Sequence, residues 1–261
     1  MAFDFDKYAE TSEAVNWNDL DLDVFDDMPL DRDTLRSVRY MCDVEYHTTC
    51  FVRELLVTPS HSEDATAAFM TMWNREEFWH GEALAAVLEK HGIHVDYDEV
   101  KAKRMSLGWK LALGPAKQSV LSNMVGTDFI AVHMAWGAAN ELSATAGYRR
   151  MAAMQDHPVL SPLLERIAKQ ETRHVAFYTT QARQRLEDNP RAQKIVRLAL
   201  GKLWKPVGSG MMDDAEVEHV MSHLFQDHTD ELDKLDKSVQ KLPGLDSLTI
   251  FRDAFARLGV G

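Results

Sequence analysis

Two copies of the pattern Glu-x-x-His stand in this chain, Glu77-Phe78-Trp79-His80 and Glu171-Thr172-Arg173-His174, and each follows a further glutamate, Glu45 or Glu141, by about thirty residues. One carboxylate plus one carboxylate–imidazole pair is half of a two-metal ligand set, and the half occurs twice. Carried inward on four helices, the six residues can hold two metal ions.

Chance alone supplies part of this pattern. With 17 Glu and 11 His in 261 residues, about 0.7 such pairs arise at random; three occur, so position on the helix decides between them. At about 100° per residue, Glu77 shares an arc with Met70, Trp73, His80, Leu84 and Leu88. Glu171 lies with Leu164, Ile167, His174 and Tyr178, Glu45 with Val38, Met41, Val52 and Leu56, and Glu141 with Ile130, Met134, Thr145 and Tyr148. All four carboxylates fall on core faces. An ionised carboxylate buried without a partner neutralises or turns outward, so four of them need cations. Three readings compete: a metal pair, buried Arg or Lys partners, or a helical phase in which the glutamates are solvated. The metal reading alone explains why histidine follows at +3 twice on the same face.

The third pair, Glu216 and His219, continues through His223 to Asp227 along one face and offers a zinc site on spacing alone. Val217, Val220, Met221 and Leu224 set the apolar side of that segment, largely opposite. A solvated face is the reading preferred for it.

The oxygen and nitrogen donors suit redox-capable iron or manganese, and the absence of ligating cysteines disfavours an iron–sulfur centre. Four carboxylates balance two divalent ions and leave positions open for O2. Pseudo-symmetry assigns Glu77 and Glu171 as bridging ligands, His80 and His174 as one nitrogen ligand per metal, and Glu45 and Glu141 as terminal carboxylates.

Four long helices must position these residues. Period-3.6 apolar stripes recur almost everywhere, so the chain should be all-α. Asp31 or Asp33 can cap a helix running to about Val57, broken by Thr58-Pro59. A second runs from about Ser62 to His91 and stops at Gly92. Residues 93–126 read as one or two shorter crossover helices interrupted at Gly114-Pro115. The third bundle helix spans roughly Thr127 to Gln155 and the fourth about Val159 to Asp188. Short links make each pair an antiparallel hairpin, with the two half-sites face to face. The expected organisation is an acidic leader over 1–30, a bundle over 31–188, and accessory helices over 189–261 at about 190–205, 213–240 and 246–258.

Composition is that of one globular domain, 45% hydrophobic and 27% charged, with no apolar run long enough to cross a bilayer. The first 27 residues do not read as a secretory signal, so a cytoplasmic location is the default expectation. Cys42 and Cys50, eight residues and about 12 Å apart on one helix, are too distant for a disulfide. Cys42 lies about 60° around from Glu45 and reads as a buried thiol. A net charge of −12 argues against nucleic acid as a partner. Arg191, Lys194, Arg197, Lys202 and Lys205 form a basic island read either as a solvated helix face or as a dock for an acidic carrier protein or ferredoxin. Lys101, Lys103 and Arg104 are a smaller candidate.

The segment Trp73-Asn74-Arg75-Glu76-Glu77-Phe78-Trp79-His80-Gly81 resembles the W-x-x-E-E-x-x-H-G signature of soluble acyl-carrier-protein desaturases, and Glu171-Thr172-Arg173-His174 resembles their E-x-R-H segment. With Glu45 and Glu141 the resemblance covers roughly residues 35–185. It implies a ferritin-like four-helix bundle holding two iron ions, which takes electrons from a ferredoxin-type donor, activates O2 and removes hydrogens from an acyl chain borne by acyl carrier protein. It implies an electron-transfer role for Trp73, whose plain reading is a core aromatic. The chain departs from the family at Gln170, where an Asp is usual, and at Ala144, where a Thr is usual, with Thr145 the neighbouring hydroxyl. The metal site transfers; the particular oxidation does not, and hydroxylation, N-oxygenation or oxidative cleavage stay open. The rival expectation is a ferritin-like iron-handling protein, since bacterioferritins resemble the same ligand order. A metal with a purely structural role is the third. Related bundles often dimerise, which makes a homodimer the expected assembly.

Overall fold

Asp31 starts the first long helix because its carboxylate accepts hydrogen bonds from the backbone N–H groups of Asp33 and Thr34, at 2.9 and 3.0 Å. In the computed structural model, which describes residues 3–105, 119–120 and 122–260, two short helices precede it, α1 (Phe5–Thr11) and α2 (Val24–Asp27). The long helix is α3 (Arg32–Leu55), and a 3-10 turn over Pro59–Ser62 leads to α4 (Asp64–Lys90). Gly92 ends α4 in the left-handed region at φ 71°. There Ile93 N–H reaches back to Leu88 O at 3.0 Å, a closure that a β-carbon would strain. α5 (Tyr97–Met105) follows. The expected break at Gly114-Pro115, and the side chains of Lys103 and Arg104, lie outside the described residues.

The later helices are α6 (Asp128–Gln155), α7 (Leu160–Leu186), α8 (Pro190–Leu203), α9 (Asp214–Phe225), α10 (Thr229–Gln240) and α11 (Ile250–Arg257). Among the described residues there is no strand beyond an isolated bridge between Ser209 and Met212, and the expected all-α class is what the structure shows. The segment read as one helix over 213–240 is two, α9 and α10, separated at Gln226–His228.

The chain divides into two compact units, one of residues 5–124 with 152–167, the other of residues 125–151 with 168–261 and the first four. In the first, α3 and α4 pack as an antiparallel hairpin. Its register is read from Cys42 Sγ donating to Gly81 O at 3.4 Å and Tyr46 Oη donating to Glu82 at 2.6 Å. Gly81 permits the approach, since a β-carbon there would stand 2.8 Å from the Tyr46 ring. From Phe5 onward the acidic leader is part of this unit. Tyr8, Val15, Phe25 and Leu30 are buried, Tyr8 Oη donates to Glu76 at 3.0 Å, and Arg166 holds Asp19 through two hydrogen bonds of 2.6 and 2.7 Å. His157 accepts from the N–H groups of Val159 and Leu160 through Nδ1, capping α7, and its Nε2 donates to Met28 O at 3.0 Å.

In the second unit α6 and α7 run antiparallel, with Arg149 donating to Thr172 at 3.0 Å and the Tyr178 ring 2.4 Å from where a β-carbon of Gly137 would stand. The amphipathic α8 buries Ala192, Val196 and Leu200, one stripe at i, i+4, i+8. Trp204, at its end, donates from Nε1 to Asn140 Oδ1 at 3.0 Å and meets Phe251 edge-on at 4.8 Å. Asp236 accepts from the N–H groups of Phe251 and Arg252 at the start of α11, and burial raises its carboxyl above the ordinary aspartate range.

Candidate metal centre

All six expected ligands are buried: His80, Glu171 and His174 are wholly so, and Glu45, Glu77 and Glu141 are at most 5% exposed. The helical phase read from apolar neighbours is therefore right, and the solvated-glutamate reading is not.

Within the first unit, α3 supplies Glu45 and α4 supplies Glu77 and His80. One ligand atom from each lies within 4.8 Å of the others. His80 Nδ1 stands 3.5 Å from Glu45 Oε2, so this ring nitrogen is the one directed at the carboxylates. Thr48, one turn after Glu45 on α3, donates to Glu77 Oε2 at 3.4 Å. Sequence reasoning missed Thr48, although its i+3 spacing from Glu45 was the available signal. Glu76 is fully buried and takes the Tyr8 hydrogen bond, so the residue before the ligand faces the leader.

Within the second unit, α6 supplies Glu141 and α7 supplies Glu171 and His174, again with one ligand atom of each within 4.8 Å of the others. His174 Nδ1 lies 3.0 Å from Glu171 Oε2 and 3.8 Å from Glu141 Oε2. Burial pushes the Glu141 carboxyl well above the usual carboxylate range, and the neighbouring Glu171 carboxylate adds to the rise. Dry, crowded carboxylates of this kind carry either protons or a cation.

The donor set fits a divalent metal. Each cluster offers two carboxylates and one imidazole, the hard-to-intermediate donors that iron, manganese and zinc accept. The chain thus has two buried Glu/His clusters able to hold metal ions, carried on helices of an all-α protein. A third group, His94, Asp96 and Glu99, also brings ligand atoms within 4.8 Å, but it sits on the surface, where His94 pairs with Glu89 at 3.1 Å and Asp96 at 3.4 Å.

Trp73, one turn before Glu77 on α4, is buried and stacks on Phe69 at 6.5 Å and 12°. Thr145, one turn after Glu141 on α6, is 6% exposed, and its hydroxyl oxygen has no hydrogen-bond partner among the described residues. The Glu216 face belongs to none of the clusters; Val217, Val220, Met221 and Leu224 are buried as read, while His219 and His223 are half-buried with their rings stacked at 5.8 Å. The cysteines are both free, and burial raises the pKa of the Cys42 thiol. No helix among the described residues is long and apolar enough to cross a membrane.

No protein-family model, no curated protein and no solved structure matches this chain. What is shown is an all-helical protein with buried carboxylate–histidine clusters consistent with a ferritin-like di-metal site. The resemblance to the desaturases rests on the motif residues alone.

Proposed function

We propose that the chain is an O2-dependent di-iron oxidase of the desaturase-like class, with its iron held by the two buried Glu/His clusters. The residues that would hold the iron are Glu45, Glu77 and His80 in one cluster and Glu141, Glu171 and His174 in the other. The observation that carries it is the repetition: the same donor set, two carboxylates and one imidazole, is buried once on α3 and α4 and once on α6 and α7.

Iron bound there supplies redox chemistry with O2. The chain's own residues do the rest. Each imidazole is directed through Nδ1 by its neighbouring carboxylates, Thr48 holds one oxygen of Glu77, and the burial of all six ligands excludes bulk water. Thr145, a buried hydroxyl on the Glu141 face with no hydrogen-bond partner among the described residues, is suited to hold or deliver a proton. Trp73 is suited to pass an electron toward the Glu77 stripe. The substrate class is an apolar acyl chain, delivered free or on a carrier protein. Reduction of O2 to water takes four electrons; oxidising the substrate supplies two, so an external donor of the ferredoxin type must supply two more.

The test is anaerobic loading with Fe(II), then exposure to O2, with metal stoichiometry, optical spectra and particle size recorded. Two ions per chain, lost in Glu77→Ala and Glu171→Ala, are expected. Fewer than two, or binding indifferent to those substitutions, removes the proposal. A cage-sized assembly that accumulates many irons replaces it with the iron-handling reading.

A further inference from the structure

The basic island on α8 is not uniform. Arg191 is committed to the fold, donating to Asp128 at 2.8 Å and to Val125 O at 3.2 Å. Arg197 donates to Asp246 O at 2.8 Å and to Gly244 O at 3.3 Å. Lys194, Lys202 and Lys205 are exposed and make no ion pair among the described residues. Lys194, Leu198 and Lys202 recur at i, i+4 and i+8, so they line one outward stripe opposite the buried Ala192, Val196 and Leu200. Leu198 is 64% exposed, which sets an apolar side chain between two lysines on that stripe, on a protein whose net charge is −12.

The same end of α8 reaches inward. Trp204 lies between Leu203 and Lys205 in sequence, yet it is 2% exposed, and its indole N–H bonds to Asn140 Oδ1 at 3.0 Å. Asn140 immediately precedes Glu141. One aromatic ring and one hydrogen bond therefore join the C-terminal end of α8, next to Lys202 and Lys205, to the helix that presents the second cluster.

We propose that Lys194, Leu198 and Lys202, with Lys205 just past the helix end, form the docking surface for an acidic one-electron carrier protein, and that Trp204 and Asn140 carry its electron toward the Glu141, Glu171 and His174 cluster. This rests on the oxidase reading. The charge pattern selects an acidic partner, since exposed lysines flanking an apolar side chain give both steering and a dry contact. The stoichiometry selects an electron carrier. Each turnover that oxidises substrate by two electrons and reduces one O2 to two waters consumes two electrons and two protons from outside, so two reduced carriers dock in succession and leave oxidised.

The probe is a plant-type [2Fe–2S] ferredoxin, an acidic one-electron carrier. Its binding to the full, metal-free chain is measured by calorimetry at low and high salt, which reads the dock whether or not the oxidase reading holds. The triple variant Lys194→Glu/Lys202→Glu/Lys205→Glu and the single variant Leu198→Asp should each weaken binding about tenfold or more, with the parent's affinity falling as salt rises. Undetectable binding to the parent, or binding indifferent to both variants, overturns the dock. Acyl carrier protein binding the same residues as tightly as ferredoxin overturns it in favour of substrate delivery. The route is read by stopped flow on the iron-loaded chain: Trp204→Phe should bind ferredoxin like the parent but be reduced by it about tenfold more slowly, while reduction by dithionite is unchanged. Asn140→Ser, which leaves the ring in place, should slow it in the same sense. Ferredoxin-driven reduction at the parent rate in both variants overturns the route.

Discussion

The ring of Tyr178 on α7 fills the position that a β-carbon on Gly137 of α6 would take, with its nearest carbons 2.4 Å from that point. Tyr46 on α3 stands in the same relation to Gly81 on α4, at 2.8 Å. Gly137 lies one turn before Glu141 and Gly81 directly after His80, so both close approaches set the separation of helices that carry the clusters. Gly137→Ala and Gly81→Ala should therefore overpack their hairpins and destabilise the protein by about 1–3 kcal/mol each. Urea unfolding checks this. A midpoint equal to the parent's would show that the rings move aside at no cost.

Divalent metal should stabilise the fold. The Glu141 carboxyl is held well above its ordinary range by burial and by Glu171, and a bound cation relieves both effects. At a free Mn(II) concentration 100 times Kd, mass action adds about 2.7 kcal/mol per site. Thermal unfolding with and without Mn(II) should show a rise in Tm that shrinks in Glu141→Ala and in His80→Ala.

His133 on α6 gives the protein an acid-side sensitivity. Burial, aided by the charge of Arg185, lowers its pKa from 6.5 to about 3. The sign follows from linkage: the folded form holds the neutral ring while the unfolded chain protonates it. The contribution is thus fully present above about pH 6.5 and is lost as pH falls toward 3, at about 1.4 kcal/mol per pH unit. Unfolding free energies at pH 7, 6 and 5 should fall less steeply in His133→Gln than in the parent, and parallel slopes would refute it.

The cations of α8 should separate into two groups by stability alone. Arg197→Met removes bonds to the carbonyls of Gly244 and Asp246 and should cost about 1 kcal/mol or more. Arg191→Met should behave alike through Asp128 and Val125. Lys194→Met should stay within about 0.5 kcal/mol of the parent. Denaturant titration of the three variants decides it.

The burial of the six candidate residues was legible in the sequence because a buried carboxylate is so costly that its place on an apolar stripe is itself a signal, and the six lie buried in two clusters. Helix ends were legible where a residue acts locally, as Asp31, Pro59 and Gly92 do. Long-range contacts left no local mark. Nothing near Tyr8 announces Glu76, 68 positions later, and nothing near Arg197 separates a structural guanidinium from the exposed lysines beside it. The two-helix form of 213–240 was missed because a three-residue break needs neither Gly nor Pro.

The leader's attachments bear on the order in which the chain is made. Asp19 waits for Arg166, 147 residues downstream, and Met28 for His157, so the unit they close cannot be finished until most of the protein has been synthesised. Its hairpin segment of α3 and α4, with Glu45, Glu77 and His80, emerges long before that. All three residues of one cluster are therefore synthesised, with the last strap of their unit still open, before the second cluster is complete.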